Sequence, residues 1–254
     1  MKIATWNVNS IKVRLPQLLD WLEQQRPDIM GLQETKTIDA NFPAGEIEAA
    51  GYRVVFSGQK TYNGVAIVSK EPIAESVTEI PGLEDPQRRV LFAMCGGVRV
   101  MNVYVPNGQE VGSEKFAYKL KWLERLTEYV KAQIKAHDKV VLLGDFNITP
   151  DDRDVHDPEA WREQILCSTP ERDALKRIFE CGLDDSFRLF DQPEKVFSWW
   201  DYRASGFRRN AGLRLDLILT AKALSAKCTA SYVDTAPRML ERPSDHAPAV
   251  AEFH

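Results

Sequence analysis

The spacing of apolar residues divides the chain into strands and helices. Lys2 to Asn9 alternates Ile3, Thr5 and Asn7 with Ala4, Trp6 and Val8, which predicts a buried strand whose far end turns polar. Leu15, Leu18, Leu19 and Leu22 recur at helical spacing, and Pro27 after Arg26 stops that helix. DIMGLQETK predicts a second strand ending in Gln33 and Glu34. YRVVFSG, GVAIVSK and VLFAMCGGVRVMNVYVP predict further strands, the last folded into a hairpin at Gly96-Gly97. From Glu114 to Ala136, Phe116, Leu120, Leu123, Leu126, Val130 and Ile134 hold one helical face behind Ser113 as N-cap, predicting the longest helix. VVLLGDFNI is an apolar strand that stops abruptly at Asp145 and Asn147, and RLDLILT and APAVAEFH are two more strands late in the chain.

Many hairpin-linked strands with interspersed helices predict an α/β architecture of two packed, mostly antiparallel sheets with outer helices. Pro and Gly are spread through turns, and no linker, repeat or low-complexity stretch interrupts residues 1–254, so one domain is expected. Hydrophobic residues at 44% and charged residues at 28% exclude wholesale disorder. A net charge of −4 excludes a protein that coats nucleic acid by bulk charge, while leaving room for a local basic face. Cys95, Cys167, Cys181 and Cys228 lack CxxC spacing, which argues against a zinc ribbon or disulfide framework and for a reducing compartment. No apolar run approaches the roughly 20 residues of a membrane helix, and Met1 leads straight into a strand, so a cytoplasmic protein without membrane attachment is expected.

Several predicted strands end in carboxylates or carboxamides: Asn7 and Asn9, Glu34, Asp145 and Asn147, and Asp216 in RLDLIL. PSDHAP adds Asp245 and His246. A carboxylate at the end of an apolar strand loses hydration and needs a cation or donors to stay charged. Together these oxygens suit a hard divalent cation, Mg²⁺ first and Mn²⁺ as the alternative, and the scarcity of Cys and His clusters disfavours zinc. Taken singly, PSDHAP also reads as a turn, GDFN as an Asx turn and Glu34 as a helix cap, and periodicity alone does not bring them together.

The strings WNVNSIK, LQETK, VYVPNG, GDFN, FSWWDYR, GLRLDLIL and PSDHAP, in this order from residue 6 to residue 248, resemble the exonuclease III family of abasic-site endonucleases. That family lies within the endonuclease/exonuclease/phosphatase superfamily. The resemblance implies a DNase I-like, four-layered α/β sandwich. It implies an enzyme, a Mg²⁺-dependent hydrolase of DNA repair that incises duplex DNA 5′ to abasic sites. It also implies 3′-phosphodiesterase, 3′-phosphatase and 3′→5′ exonuclease activity, and a monomer acting on abasic sites or damaged 3′ ends. Glu34 then matches the principal metal carboxylate, with Asp245 and Asn7 beside it. Asp145 matches the residue that orients or deprotonates water, and Asn147 the amide that fixes water or phosphate. Asp216 and His246 match an Asp-His pair directed at a phosphate oxygen, and Tyr104 a tyrosine on the scissile phosphate. A second metal would use Asp145, Asn147 and His246. Some members carry an acid where this chain has Asn9. A catalytically silent relative that binds nucleic acid or protein is the alternative, and its signature would be loss of these residues.

WWDYRASGFRRNAGLR carries Arg203, Arg208, Arg209 and Arg214 against Asp201, a phosphate-binding stretch by charge, with Trp199 matching the tryptophan that lines the family's abasic pocket. Its other reading is a surface loop with core aromatics. Lys115, Lys119 and Lys121 oppose the dipole at the start of the long helix, which makes phosphate contact or a solvated face their alternatives. Arg88 and Arg89 sit in a loop that resembles a groove-contacting loop of the family.

Overall fold

A computed structural model describes residues 1–254. Along the chain run β1 (Lys2–Asn7), α1 (Ile11–Gln25), β2 (Ile29–Gln33), α2 (Ala44–Ala49), β3 (Arg53–Ser57), β4 (Val65–Ser69), β5 (Ile73–Val77), β6 (Val90–Cys95) and β7 (Val98–Tyr104). Then follow α3 (Glu114–Ala136), β8 (Val140–Asp145), α4 (Thr169–Phe179), β9 (Leu183–Asp185), β10 (Trp199–Trp200), β11 (Gly212–Leu213), β12 (Asp216–Ala221), α5 (Lys222–Ser225), β13 (Cys228–Val233) and β14 (Ala249–Phe253). Two six-stranded sheets form, in the orders β13-β14-β1-β2-β4-β3 and β5-β6-β7-β8-β12-β9. Only β1 with β2 and β7 with β8 pair in parallel; all other pairs are antiparallel.

Strand alternation sorts the side chains into layers. In β1, Ile3 faces the opposing sheet, whereas Ala4 and Trp6 pack outward against Leu18, Trp21 and Leu22 of α1. In β8, Val141 and Leu143 point between the sheets, and Val140 and Leu142 point out against Leu123, Leu126 and Val130 of α3. The result is the expected helix-sheet-sheet-helix sandwich. α3 spans the expected residues, and the Ser113 hydroxyl caps it by accepting the Phe116 N–H at 3.1 Å.

The interior is not purely apolar. Gln33 Nε2 donates to Thr5 Oγ1 at 2.8 Å and to Asn102 Oδ1 at 2.7 Å, while Asn102 Nδ2 donates across the layer to the carbonyls of Leu32 and Ala66. This network fixes the sheets against each other just below the end where the polar residues collect. Gly31 makes the close approach possible, since a Cβ there would overlap Leu143 Cδ1 and stand 2.9 Å from Asn102 Oδ1.

β5, β9 and β13 escape the apolar pattern for a common reason: each is a sheet edge, and edge strands are covered on fewer sides. α1 starts at Ile11 rather than Leu15 because Asn9 and Ser10 make a tight positive-φ turn that drops Ile11 into the core. α4 has no counterpart in the apolar pattern, although Ser168 and Glu171 form a capping box at its start.

Gly31→Val should fill the closest approach of the two sheets. Overpacking there is expected to cost about 1–3 kcal/mol, read as a lowered urea midpoint with an unchanged m-value.

Candidate active site

Sheet register builds the site. Parallel β7 and antiparallel β12 flank β8, which aligns Tyr104 with Asp145 and Asp145 with Asp216 in one row. Asp216 therefore opens its strand instead of ending it, and antiparallel pairing brings that start to the shared edge. On the facing sheet, parallel β1 and β2 finish side by side at Asn7 and Gln33, with Glu34 next in the chain at φ 52°. Gly144 lets β8 stay tight against β7: its φ is 143°, and a Cβ there would strike the Val103 carbonyl.

His246 enters from the loop before β14. Its Nδ1 lies 2.8 Å from Asp216 Oδ2 and its Nε2 lies 3.7 Å from Asp145 Oδ2. Two serines hold this pair. Ser198 Oγ accepts the N–H groups of Leu215 and Asp216, and Ser244 Oγ accepts the His246 N–H while donating to the Asn7 carbonyl at 2.7 Å. The Trp6 indole donates to the His246 carbonyl at 3.1 Å.

Asn7 joins the sheets. Its buried Nδ2 donates to Glu34 Oε1 at 2.8 Å and to Asp145 Oδ2 at 2.9 Å. Lys36 Nζ pairs with Glu34 Oε2 at 2.8 Å and donates to Asn9 Oδ1. Asn9 Nδ2 donates to Asp245 Oδ1 at 3.0 Å, and Asp245 Oδ2 accepts the Trp199 indole N–H at 3.0 Å. The amide at position 9 thus serves as both donor and acceptor, which an acid facing Asp245 would not do. Asp145 Oδ1 accepts the Asn147 N–H at 2.9 Å, and Asn147 Nδ2 donates to the Val105 carbonyl at 3.0 Å.

Burial raises the pKa of Asp145, with Asp216 and Glu34 adding to the rise and His246 opposing it. Burial works to lower the pKa of His246, but attraction to Asp216 and Asp145 overrides it and holds the imidazole protonated to higher pH. Burial works to raise Glu34, yet Lys36 and the Asn7 hydrogen bond bring its pKa down. The Tyr104 phenol is pushed well up by burial and by the Glu34 and Asp145 charges, so it stays a hydrogen-bond donor. One carboxylate oxygen each of Glu34 and Asp145 and one ring nitrogen of His246 lie within 4.8 Å of one another. The Glu34 and Asp145 carboxylates suit a hard divalent cation, whereas the protonated imidazole of His246 has no lone pair to offer one. Asp245 stands outside this group, its oxygens occupied by Asn9 and Trp199.

A cleft of about 720 Å³ opens beside this row, lined by Glu34, Lys36, Arg89, Tyr104, Asn107 and Lys115 among others. Arg89 stacks its guanidinium 4.8 Å over the Tyr104 ring. Arg88 is half-buried beside that loop and is not among the lining residues. Arg208 and Arg209 are exposed, and Arg203 is exposed but paired with Asp201. Trp199 and Tyr202 face the Asn9–Asp245 side, whereas Trp200 and Phe207 pack on each other as core aromatics.

Two basic residues differ from the sequence expectation. Lys119 is completely buried and paired with Glu171 at 2.5 Å, so it presents no charge to a phosphate. It lies three residues after Phe116 and four before Leu123, on the inward stripe of α3, and that spacing was the available signal. Arg214 is likewise buried between Asp154 and Asp185 and does not join the exposed arginines. Lys36, Ser198 and Ser244 were not singled out from the sequence. All three lie in the motif strings: Lys36 ends LQETK, Ser198 is the second residue of FSWWDYR and Ser244 the second of PSDHAP.

The chain matches the Endonuclease/Exonuclease/phosphatase family over residues 4–246. It is 37% identical to exodeoxyribonuclease III of Haemophilus influenzae, with 100% of both chains covered. It superposes with a TM-score of 0.98 on a Neisseria 3′ phosphatase bound to a product DNA hairpin, at 49% identity over 100% of this chain and 99% of that one. It superposes with a TM-score of 0.96 on an AP endonuclease from Archaeoglobus fulgidus, at 39% identity and the same coverage. Matched nearly end to end both by the family and by a curated relative, the chain belongs to the endonuclease/exonuclease/phosphatase family.

Proposed function

We propose that this chain is a Mg²⁺-dependent DNA-repair nuclease that acts as a monomer and incises duplex DNA 5′ to abasic sites. The observation that carries the reading is the convergence of Glu34, Asn7, Asp145, Asp216 and His246, from both sheets, at one buried end beside a cleft lined by Lys36, Arg89 and Lys115. Hydrolysis of a phosphodiester builds negative charge on the non-bridging and leaving oxygens, so a protein that meets that charge with preorganised donors lowers the barrier.

Each group has a role that fits its setting. Glu34 would hold the Mg²⁺, with Asn7 and Asp245 orienting the surrounding groups. A bound Mg²⁺ supplies Lewis-acid stabilisation of the developing charge. Asp145, with its raised proton affinity, takes a proton from the attacking water. His246, kept cationic by Asp216, and the Tyr104 phenol donate to phosphate oxygens. Asn147 fixes water or phosphate from its place beside Asp145. No covalent intermediate is needed, and the products are a 3′-hydroxyl and a 5′-phosphate-bearing end.

Arg208 and Arg209, with Lys115 in the cleft, would hold the DNA backbone, and Trp199 would line the pocket for a base-less sugar. Removal of 3′ blocking groups and 3′→5′ trimming are the second reading, favoured by the likeness to the Neisseria 3′ phosphatase.

A duplex carrying one tetrahydrofuran abasic analogue should be cut 5′ to the lesion with Mg²⁺ and left intact with EDTA; an intact duplex under both conditions would overturn the incision reading. A 3′-phosphate nick and a recessed 3′ end, assayed at the same salt concentration, divide incision from end trimming. Asp145→Asn should slow cleavage by about 10²–10⁴-fold, with the DNA dissociation constant unchanged within about threefold. Equal loss of binding and cleavage would assign Asp145 a structural role.

A further inference from the structure

Lys119 has no exposed surface, yet its ammonium joins three separate segments. It donates to the backbone carbonyls of Asn107 at 3.0 Å and Asn147 at 2.7 Å, and to Glu171 Oε1 at 2.5 Å. Glu171 is equally buried and accepts from the Leu166 N–H at 3.1 Å, the Ser168 N–H at 3.2 Å and the Ser168 hydroxyl at 2.6 Å. One ion pair therefore ties α3 and the start of α4 to the loop after β7 and the loop after β8.

Stability accounts poorly for such a pair. A buried ion pair can often be replaced by apolar side chains without loss, because desolvation offsets the Coulomb attraction. An apolar pair could not, however, hold two loop carbonyls in place. The loops held are those of the carboxamides at the site. Asn147 sits at φ 47° with its N–H on Asp145 Oδ1, and Asn107 Nδ2 lies 3.5 Å from Asn147 Oδ1, with Asn107 lining the cleft. Without Lys119, two carbonyls would lose their donor beneath these residues, and the carboxamides would no longer share one anchor.

We infer that the Lys119–Glu171 pair is a positioning device for the hydrolytic site. It sets Asn107 and Asn147 at a fixed spacing beside Asp145, so that both carboxamides meet the scissile phosphate without loop rearrangement. Lys119 is a positioning residue that never touches DNA. The inference rests on the hydrolase reading above, because its consequence is a rate.

A mutant cycle between position 119 and the carboxamide pair at 107 and 147 tests it, using whichever of the three DNA substrates the wild type cleaves. Lys119→Met and Glu171→Gln should each lower kcat by about 10- to 100-fold, the scale of a misplaced catalytic group, with KM for DNA within about threefold. In an Asn107→Ala/Asn147→Ala background, Lys119→Met should add less than about twofold, because its effect passes through those two carboxamides. Thermal unfolding monitors the fold. Should Lys119→Met not fold, Glu171→Gln, which keeps the shape of the carboxylate, carries the same cycle. Additive losses, an unchanged kcat, or a raised KM at constant kcat would overturn the inference, the last by making Lys119 a phosphate contact. A wild type that cleaves none of the substrates would instead overturn the hydrolase reading.

Discussion

Asp145 is a carboxylate with almost no access to water, at the end of a strand otherwise wholly apolar, and the arrangement around it answers that constraint. A lone buried carboxylate would simply take up a proton. Here, Asn7 and the Asn147 N–H donate to it, and the His246 imidazole faces it while held by Asp216. Ser198 and Ser244 lock the two partners to the backbone, and the Gln33–Asn102 network keeps the sheets that carry them in register. The acid stays partly frustrated, with three carboxylates against one imidazole and one lysine. That residual negative charge is what a divalent cation would neutralise.

Charge is divided in the same way across the molecule. The total of −4 conceals acids used internally: Asp154 and Asp185 enclose Arg214, Asp154 also holds Arg188, and Glu171 holds Lys119. Other cations stay exposed, among them Lys115, which lines the cleft, and Arg208 and Arg209. Lys36, Arg89 and Lys115 put positive charge along the cleft beside this acidic centre, the pattern that the proposed hold on DNA phosphates would use.

Sequence periodicity revealed the central strands, because strands covered on both faces carry continuous apolar runs, and it revealed α3 because its stripe runs from Phe116 to Ile134 behind a capping serine. It missed β5, β9 and β13, whose edge positions relax the pattern. For the site, the residue types were legible and their convergence was not. Asp216 shows why: only antiparallel pairing of β12 with β8 reveals that the first residue of one strand meets the last of another. Lys119 and Arg214 show the converse limit. Charge is a strong surface signal, whereas the buried partners Glu171, Asp154 and Asp185 lie tens of residues away in sequence.

The proposed chemistry requires a divalent cation at the acidic end of the sandwich, where the two sheets meet. Crystals of the protein soaked in Mn²⁺, a Mg²⁺ surrogate with a usable anomalous signal, test this directly. An anomalous peak is expected within coordination reach of the Glu34 and Asp145 side, lost from crystals of Glu34→Gln. No peak at that end, or a peak indifferent to Glu34→Gln, would contradict that chemistry.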